Sequence, residues 1–238
     1  PSLRMGCASS KDNASVITRC SVPPYCVKML GSRHFLIAGG GGASKTGVSN
    51  ELQTLLLTFG HIDTDYRPKT SVLPLQAVLT SVAKTGSYAT MNMDVAGIGN
   101  PESGKYLVAA GHGEYCCFYI SDGFSNSIQE DGKTLPTLKF EELLKVKSDE
   151  KATGAYQKAV RLDKSLFGQP QFAVTGGSDG TIRVWDVDHL MSKRDVRPRL
   201  IIQAHDSVVD EVGISRDGCT SLSLGADGKV CFWDLKDG

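Results

Sequence analysis

The sequence has 238 residues, 40% of them hydrophobic and 22% charged, which are ordinary proportions for a globular domain that buries a core. Its 26 basic residues balance 26 acidic ones, so no overall field favours nucleic acid or an anionic membrane. Phosphate-dominated DNA binding needs a basic face, and this balance therefore argues against a DNA-binding protein. No stretch of the sequence reaches the roughly 18 consecutive apolar residues of a membrane span.

The chain begins with residues 1–24, which we expect to form a disordered leader. Within it, the run that starts at Met5-Gly6 fits an N-myristoylation pattern if translation begins at Met5. The seven cysteines of the chain are an odd number without C-x-x-C spacing, and no secretory signal pattern precedes them. We therefore expect reduced thiols in a cytosolic environment.

The first predicted strand, Phe35–Gly40, ends in two glycines. A second strand, Leu52–Leu57, follows only after the stretch from Gly41 to Asn50. These segments predict a β-unit near residues 25–60 with an unusually long turn. The residues that follow it, 60–87, are expected to form a polar insertion.

Three later segments repeat the strand–turn–strand pattern, namely Tyr106–Tyr119, Ala173–Asp186 and Leu222–Asp234. The last two carry an Asp-Gly turn between alternating apolar runs, which is a strong hairpin signal because both residues tolerate positive φ. Their tryptophans, Trp185 and Trp233, lie 48 residues apart, close to the roughly 40–45 residues of one propeller blade. The segments resemble WD repeats and predict an all-β WD-repeat β-propeller.

Four blades are predicted, near residues 25–60, 88–121, 158–188 and 203–236. The second is degenerate, because Gly113 and Tyr119 stand where the third has the turn aspartate Asp179 and the tryptophan Trp185. The polar composition of residues 122–157 predicts a mostly disordered insertion, with a short helical segment around Glu141–Val146. Four blades seldom close a disc, so about three further blades are expected in a longer protein.

His205 precedes the last blade at the position where such repeats carry the histidine of a Gly-His signature. The resemblance implies that this histidine hydrogen-bonds the turn aspartate, Asp227, and is linked to Trp233. These residues, like Asp179 and Trp185 of the preceding blade, are therefore predicted to support the fold. A catalytic role for them is the disfavoured alternative.

The Gly39–Asn50 stretch is the one segment that repeat architecture does not require. It resembles a phosphate-binding P-loop only in part, because Ser44 replaces the glycine before Lys45-Thr46 and the next segment predicts a strand rather than a helix. Ordering four consecutive glycines costs roughly a kcal/mol or more for each residue fixed, so an ordered cluster here indicates a selected backbone shape. An ordinary long surface turn is the alternative.

The same stretch resembles the signature loop of the endoplasmic-reticulum guanine nucleotide exchange factors that activate the Sar-type GTPase of the COPII coat. The resemblance continues through Ala89–Met93 and through the Gly176–Trp185 and His205–Trp233 blades in the same order. It implies a seven-bladed propeller on the cytosolic face of the endoplasmic reticulum membrane, followed by a transmembrane anchor. It also implies that the loop holds a potassium ion and contacts the GTPase to displace nucleotide.

On this resemblance we expect exchange without covalent chemistry and without an organic cofactor. The residues expected to form the exchange element are Gly41, Gly42, Ala43, Ser44, Lys45, Thr46, Gly47, Val48 and Asn50. Those expected around the potassium ion are Gly39, Gly40, Gly41, Gly42 and Asn50. The competing hypothesis is a WD-repeat protein-interaction scaffold without exchange activity.

Overall fold

The computed structural model of the chain describes residues 18–44, 46–59, 75–164, 168–194 and 196–235. Residues 1–17 of the predicted leader, including Met5-Gly6, lie outside the described residues, as does Lys45 of the glycine-rich loop. For residues 18–24 the expected disorder was wrong, because Val22 is buried and Pro24 begins β1. The first two sheets contain β1 (Pro24–Leu30), β2 (His34–Gly39), β3 (Glu51–Phe59), β4 (Leu75–Lys84), β5 (Asn92–Gly97), β6 (Lys105–His112), β7 (Tyr115–Asp122) and β10 (Glu141–Lys147), with the hairpin β8 (Phe124–Ile128) and β9 (Thr134–Leu138) inserted before β10. The remaining elements are β11 (Gln157–Leu162), β12 (Phe172–Gly177), β13 (Thr181–Asp186), α1 (Val187–Ser192), β14 (Leu200–Gln203), β15 (Val209–Ile214), β16 (Thr220–Gly225) and β17 (Val230–Asp234), and a 3-10 turn covers Pro101–Ser103.

The larger strands form four antiparallel sheets, which we call blades 1 to 4. Their strand orders are β1-β2-β3-β4, β5-β6-β7-β10, β11-β12-β13-β14 and β15-β16-β17. The first strand of each blade contacts the first strand of the next, so β1, β5, β11 and β15 form the inner wall. This radial arrangement of meandering sheets is a β-propeller, and the predicted all-β fold is confirmed.

The blades are held together by apolar side chains between their faces. One cluster joins blades 1 and 2 and includes Leu36, Val108 and Tyr119. A second joins blades 2 and 3 around Trp185, and a third joins blades 3 and 4 around Val209. Successive side chains of a strand point to opposite faces of the sheet. Apolar side chains lie on both faces of blade 2, and stacking against blades 1 and 3 buries them. The core is therefore divided among the seams between blades.

The expectation for residues 122–157 was wrong in two respects. The segment holds the β8–β9 hairpin and then β10, which pairs with β7 as the outer strand of blade 2. The Glu141–Val146 segment is this strand and not a helix. Its mixed Glu, Leu and Lys composition suits either structure, and pairing with β7 together with burial of Val146 selects the strand.

The segment predicted as the insertion 60–87 also contributes to a blade. Its second part, β4, pairs with β3 along the full length of both strands and completes blade 1. Several apolar side chains of β4 remain exposed, among them Leu79 and Val82, which gives the strand a composition unlike that of a buried one. The first part, residues 60–74, lies outside the described residues.

The β8–β9 hairpin crosses from blade 2 to the edge of blade 1. Thr54 Oγ1 on β3 donates to the Leu138 carbonyl at 2.9 Å, and Thr137 Oγ1 donates to Thr80 Oγ1 on β4 at 2.7 Å. His34 Nε2 lies 3.0 Å from the Pro136 carbonyl oxygen. The hairpin is therefore a brace across the seam between the two blades.

Because strands within each blade are antiparallel, their connections alternate between two faces. The upper face carries the connections between second and third strands and those between blades. The lower face carries the connections between first and second strands and those between third and fourth. The glycine-rich loop lies on the upper face, and the β8–β9 hairpin lies on the lower face.

Candidate functional site: the glycine-rich loop

The glycine-rich loop, residues 40–50, connects β2 to β3 on the upper face. At its base Gly39 pairs with Glu51 across the hairpin, and the Gly40 N–H donates to the Pro23 carbonyl at 3.0 Å. The same connection in blades 3 and 4 is a short turn, as in the three residues between β12 and β13. The loop is thus an extension of one blade's turn, and the following element is the strand β3 rather than the helix that a P-loop requires.

Close packing requires glycine at Gly39, at the base of the loop, and at Gly40 and Gly41 within it. A Cβ on Gly39 would collide with the Pro23 carbonyl, and one on Gly40 would lie 2.6 Å from the Ser49 carbonyl oxygen. A Cβ on Gly41 would lie 2.9 Å from Val48 Cβ. Gly40 has a φ of 143°, which side chains rarely adopt. The two limbs of the loop therefore approach one another more closely than any other residue type allows.

Asn50 closes the loop through its buried side-chain amide. Its Oδ1 accepts from the Gly42 N–H at 2.9 Å, and its Nδ2 donates to the Gly42 carbonyl at 3.1 Å. Nδ2 also donates to the Gly86 carbonyl in the connection between blades 1 and 2, at 3.0 Å. The resemblance implied that Asn50 is one of the residues around a potassium ion. In the structure this side chain ties both limbs of the loop to the neighbouring connection, a contact with Gly86 that the sequence pattern did not reveal.

The apex of the loop points into solvent. Ala43, Ser44, Thr46 and Gly47 are exposed, and Val48 exposes 39% of its surface. Local hydrogen bonds shape this part, since the Thr46 N–H donates to the Ser44 carbonyl at 2.7 Å. An exposed apex is accessible to a partner, and the closed base reduces the conformational entropy that docking costs.

The residues around His205 form a continuous polar chain inside blade 4. His205 Nδ1 lies 3.0 Å from Asp227 Oδ1, and its Nε2 lies 2.8 Å from Ser223 Oγ. The Trp233 indole N–H donates to the same Ser223 oxygen at 2.8 Å. The link between histidine and tryptophan is therefore Ser223, which sequence reasoning did not name. Every member of the chain is occupied in joining strands, which agrees with a structural role.

Blade 3 achieves the same closure with other residues. The Trp185 indole N–H donates to Thr175 Oγ1 at 3.0 Å, and the Arg183 guanidinium lies 2.7 Å from Asp179. The carboxylate of Asp149 accepts from the backbone N–H groups of Ser178 and Asp179. Asp149 occupies the connection before the blade, where His205 stands in blade 4. The upper turns of both blades are thus locked to the preceding connection.

Among the described residues, no group of three or more His, Cys, Asp or Glu side chains is placed to hold a metal ion. No helix within the described ranges is long and apolar enough to cross a membrane. The six cysteines in these ranges have free thiols.

The architecture and its repeated turn networks define a WD-repeat β-propeller. A family model described as the WD domain, G-beta repeat, matches residues 165–186 in blade 3. Two crystal structures of Sqt1 from Chaetomium thermophilum have similar folds, with TM-scores of 0.55 and 0.54 and 12% sequence identity in each case. The matches cover 89% and 86% of this chain but 43% and 41% of theirs, so the chain spans less than half the length of these structures.

Proposed function

We propose that this chain belongs to a guanine nucleotide exchange factor for a Sar-type small GTPase, which would start COPII vesicle formation at the endoplasmic reticulum. The fold itself supports a protein-interaction role. The observation that favours exchange over a passive scaffold is the loop at residues 40–50. A scaffold needs only a short turn there, whereas this blade presents an exposed apex on a base closed by a buried asparagine.

Exchange of this kind requires preferential binding to the nucleotide-free GTPase. By linkage, a partner that binds this state more tightly must weaken nucleotide affinity by the same factor. A loop that is already closed by Asn50 loses little conformational freedom on docking. Little of the binding free energy is then spent on ordering the loop, and more of it can stabilise the nucleotide-free GTPase. Val48 and the partly exposed Tyr88, both on the upper face, provide apolar surface for such a partner.

The proposal includes a potassium ion bound in the loop. Some of the residues expected around this ion have oxygen atoms that could ligate it. Main-chain carbonyls suit this ion, and Asn50 Oδ1 keeps a second lone pair beside its bond to the Gly42 N–H. The Gly42 carbonyl accepts from Asn50 Nδ2 and likewise keeps a second lone pair, whereas Gly39 is paired within the sheet. Gly40, Gly41, Gly42 and Asn50 would therefore hold the ion, which would supply positive charge within the loop.

Localisation follows from the same proposal. The propeller would lie on the cytosolic face of the endoplasmic reticulum membrane. Nothing in the formal charge balance of the chain favours attachment through a basic surface.

The decisive experiment replaces residues 41–49 of the intact protein by a Ser-Asp-Gly turn and measures nucleotide release from the purified Sar-type GTPase. We expect the melting temperature to stay close to that of the parent protein and the accelerated release to disappear. Accelerated release by the shortened variant would refute the exchange mechanism and leave the scaffold hypothesis.

A matched pair of substitutions tests the surface of the loop without altering its length. Val48→Ser removes an apolar side chain from the apex, and Val196→Ser removes a similarly exposed one from the lower face. We expect slower exchange only for Val48→Ser.

Omitting potassium from the buffer should slow exchange by the parent protein, since an empty loop would lack the ion's charge.

A further inference from the structure

A cavity of about 400 Å³ lies at the lower end of the inner wall, between β5, β11 and β15. Four charged side chains line it, namely Asp94 of β5, Arg161 of β11, Lys164 just beyond β11, and Arg216 in the connection after β15. It opens on the lower face, away from the glycine-rich loop. Neither the repeat architecture nor the proposed exchange activity uses these residues.

Asp94 is a fully buried carboxylate that organises one side of the cavity. The Leu162 N–H donates to Oδ2 at 3.0 Å, Lys164 Nζ lies 2.9 Å from Oδ1, and Lys28 Nζ lies 3.2 Å from the same oxygen. Burial by itself would raise the pKa of Asp94, but these hydrogen bonds and the two ammonium groups lower it below the ordinary value. The carboxylate therefore stays ionised and fixes both lysines.

Arg161 is fixed on the opposite side of the cavity. Its Nη2 lies 3.1 Å from Glu211 Oε1, and its Nη1 donates to the Val160 carbonyl at 2.8 Å. A guanidinium held in this way loses little rotamer entropy when it binds a ligand. Two cationic side chains of the cavity, Arg161 and Lys164, are therefore held in place by ion pairs. The exposed Arg216 is the third cationic side chain of the lining.

The charge of this concavity differs from that of the whole chain. The formal net charge of the sequence is zero, but the lining has three cationic side chains and one carboxylate. Just outside the lining, Lys28 faces Asp94 and Glu211 faces Arg161, so these two further charges cancel and the local excess stays positive. A concave surface lined mainly by one sign of charge concentrates counter-ions.

We propose that this cavity binds a compact phosphorylated anion, with Arg161, Lys164 and Arg216 contacting its phosphate groups. Guanidinium groups bind phosphate oxygens through paired, charge-assisted hydrogen bonds, and a lysine adds a point charge. The volume lies within the range of small-molecule sites. The same chemistry is present in a free oligophosphate and in a phosphorylated lipid headgroup. The proposal is independent of exchange activity.

The test is isothermal titration of the intact protein with inorganic pyrophosphate. We expect saturable binding that Arg216→Gln and Lys164→Gln each weaken by about tenfold, the usual value of one charge-assisted contact. Lys158→Gln is the matched control, because Lys158 lies on β11 outside the cavity and pairs with Asp210 at 3.9 Å. Absence of binding, or equal weakening by the control, would overturn the proposal. Arg216 is exposed, so its variant remains informative if Lys164→Gln unfolds.

A second arm separates the two sources of phosphate. Phosphatidylcholine vesicles with and without phosphatidylinositol 4-phosphate are sedimented with the protein. Retention that requires the phosphorylated lipid, is competed by pyrophosphate and falls for Arg216→Gln would support a headgroup as the ligand. Pyrophosphate binding without vesicle retention would support a soluble ligand. Vesicle retention that Arg216→Gln does not alter would place lipid binding outside the cavity and count against a lipid headgroup as its ligand.

Discussion

The upper turn of blade 4 and the glycine-rich loop of blade 1 occupy the same position in their sheets. Each is closed by one polar side chain, Asp227 in the first and Asn50 in the second. Asp227 joins its turn to the histidine of the preceding connection, and its carboxylate also accepts from the backbone N–H groups of Asp206 and Lys229. Asn50 joins its loop to the following connection at Gly86 and leaves the apex free. A blade of this propeller therefore requires that its upper turn be closed, but not that the turn have a particular length.

The largest expected effect lies in the blades with short turns. Trp185 is almost fully buried, whereas Trp233 is half-buried, and both donate the indole N–H to a hydroxyl. Trp185→Ala should lower the free energy of unfolding by about 3–5 kcal/mol, as for other buried aromatic residues. Trp233→Ala should cost clearly less. Equal losses in urea denaturation would show that burial is not what distinguishes the two tryptophans.

The degenerate blade 2 provides a test by pH. His112 is buried with Nε2 2.8 Å from Thr90 Oγ1, and burial, with a smaller contribution from Lys145, lowers the pKa of His112 from 6.5 to about 4. The unfolded chain therefore takes up this proton first as the pH falls. The free energy of unfolding should drop by about 3 kcal/mol between pH 6.5 and pH 4 from this group.

Denaturation at several pH values, compared with His112→Gln, isolates that contribution. The variant has no group that titrates there, so its stability should change less over the same interval. Parallel curves for the two proteins would mean that His112 is not held neutral in the folded state.

In blade 1 the comparison predicts a small loss of stability and a large loss of function. Asn50→Ala removes three hydrogen bonds, but water can reach part of the loop, so we expect a cost of about 1–2 kcal/mol. Nucleotide release should nevertheless fall to the uncatalysed rate, because the loop is no longer closed. Asn92→Ala, which removes one hydrogen bond to the main-chain carbonyl of Gln157 and one from its side chain in the next seam, is the matched control. Exchange retained by Asn50→Ala would show that closure is not needed.

The smallest effect is expected at Gly42. Its φ is 75° and a Cβ there would meet no atom within 4 Å, so Gly42→Ala should cost only about 1 kcal/mol. Gly40→Ala should cost more, because its Cβ would collide with Asn50. Melting curves for the two variants measure the cost of a strained backbone at Gly42 and the cost of a steric clash at Gly40. A reversed order would contradict the packing of the loop limbs.

Local patterns sufficed to predict much of this fold. The Asp-Gly turns and terminal Trp-Asp pairs specify hairpins, and the His205–Asp227 contact follows from the repeat. The strand β10 could not be identified in this way, because its residues also suit a helix and only pairing with β7 selects the strand. The strand β4 was not predicted, because its apolar and polar residues do not alternate as in a half-buried strand and several of its apolar side chains are exposed.

The loop shows the same limit at the level of single contacts. Its glycines and its length were evident in the sequence, and both mark it as unusual. The function of Asn50 depends on two atoms of Gly42 and on Gly86, which lies 36 residues further along the chain. Such a contact results from the packing of two connections and has no periodic signature.

The β8–β9 brace has a mechanical consequence for these blades. A propeller seam held only by apolar stacking can slide, but hydrogen bonds from Thr54 and Thr137 tie both outer strands of blade 1 to the hairpin. Shear between blades 1 and 2 must break those bonds together. The two blades should therefore open as one cooperative unit, with amides of β4 exchanging as slowly as those of strands deeper in the sheet. The β8–β9 hairpin on the lower face would then determine how rigidly blade 1 holds the glycine-rich loop on the upper face.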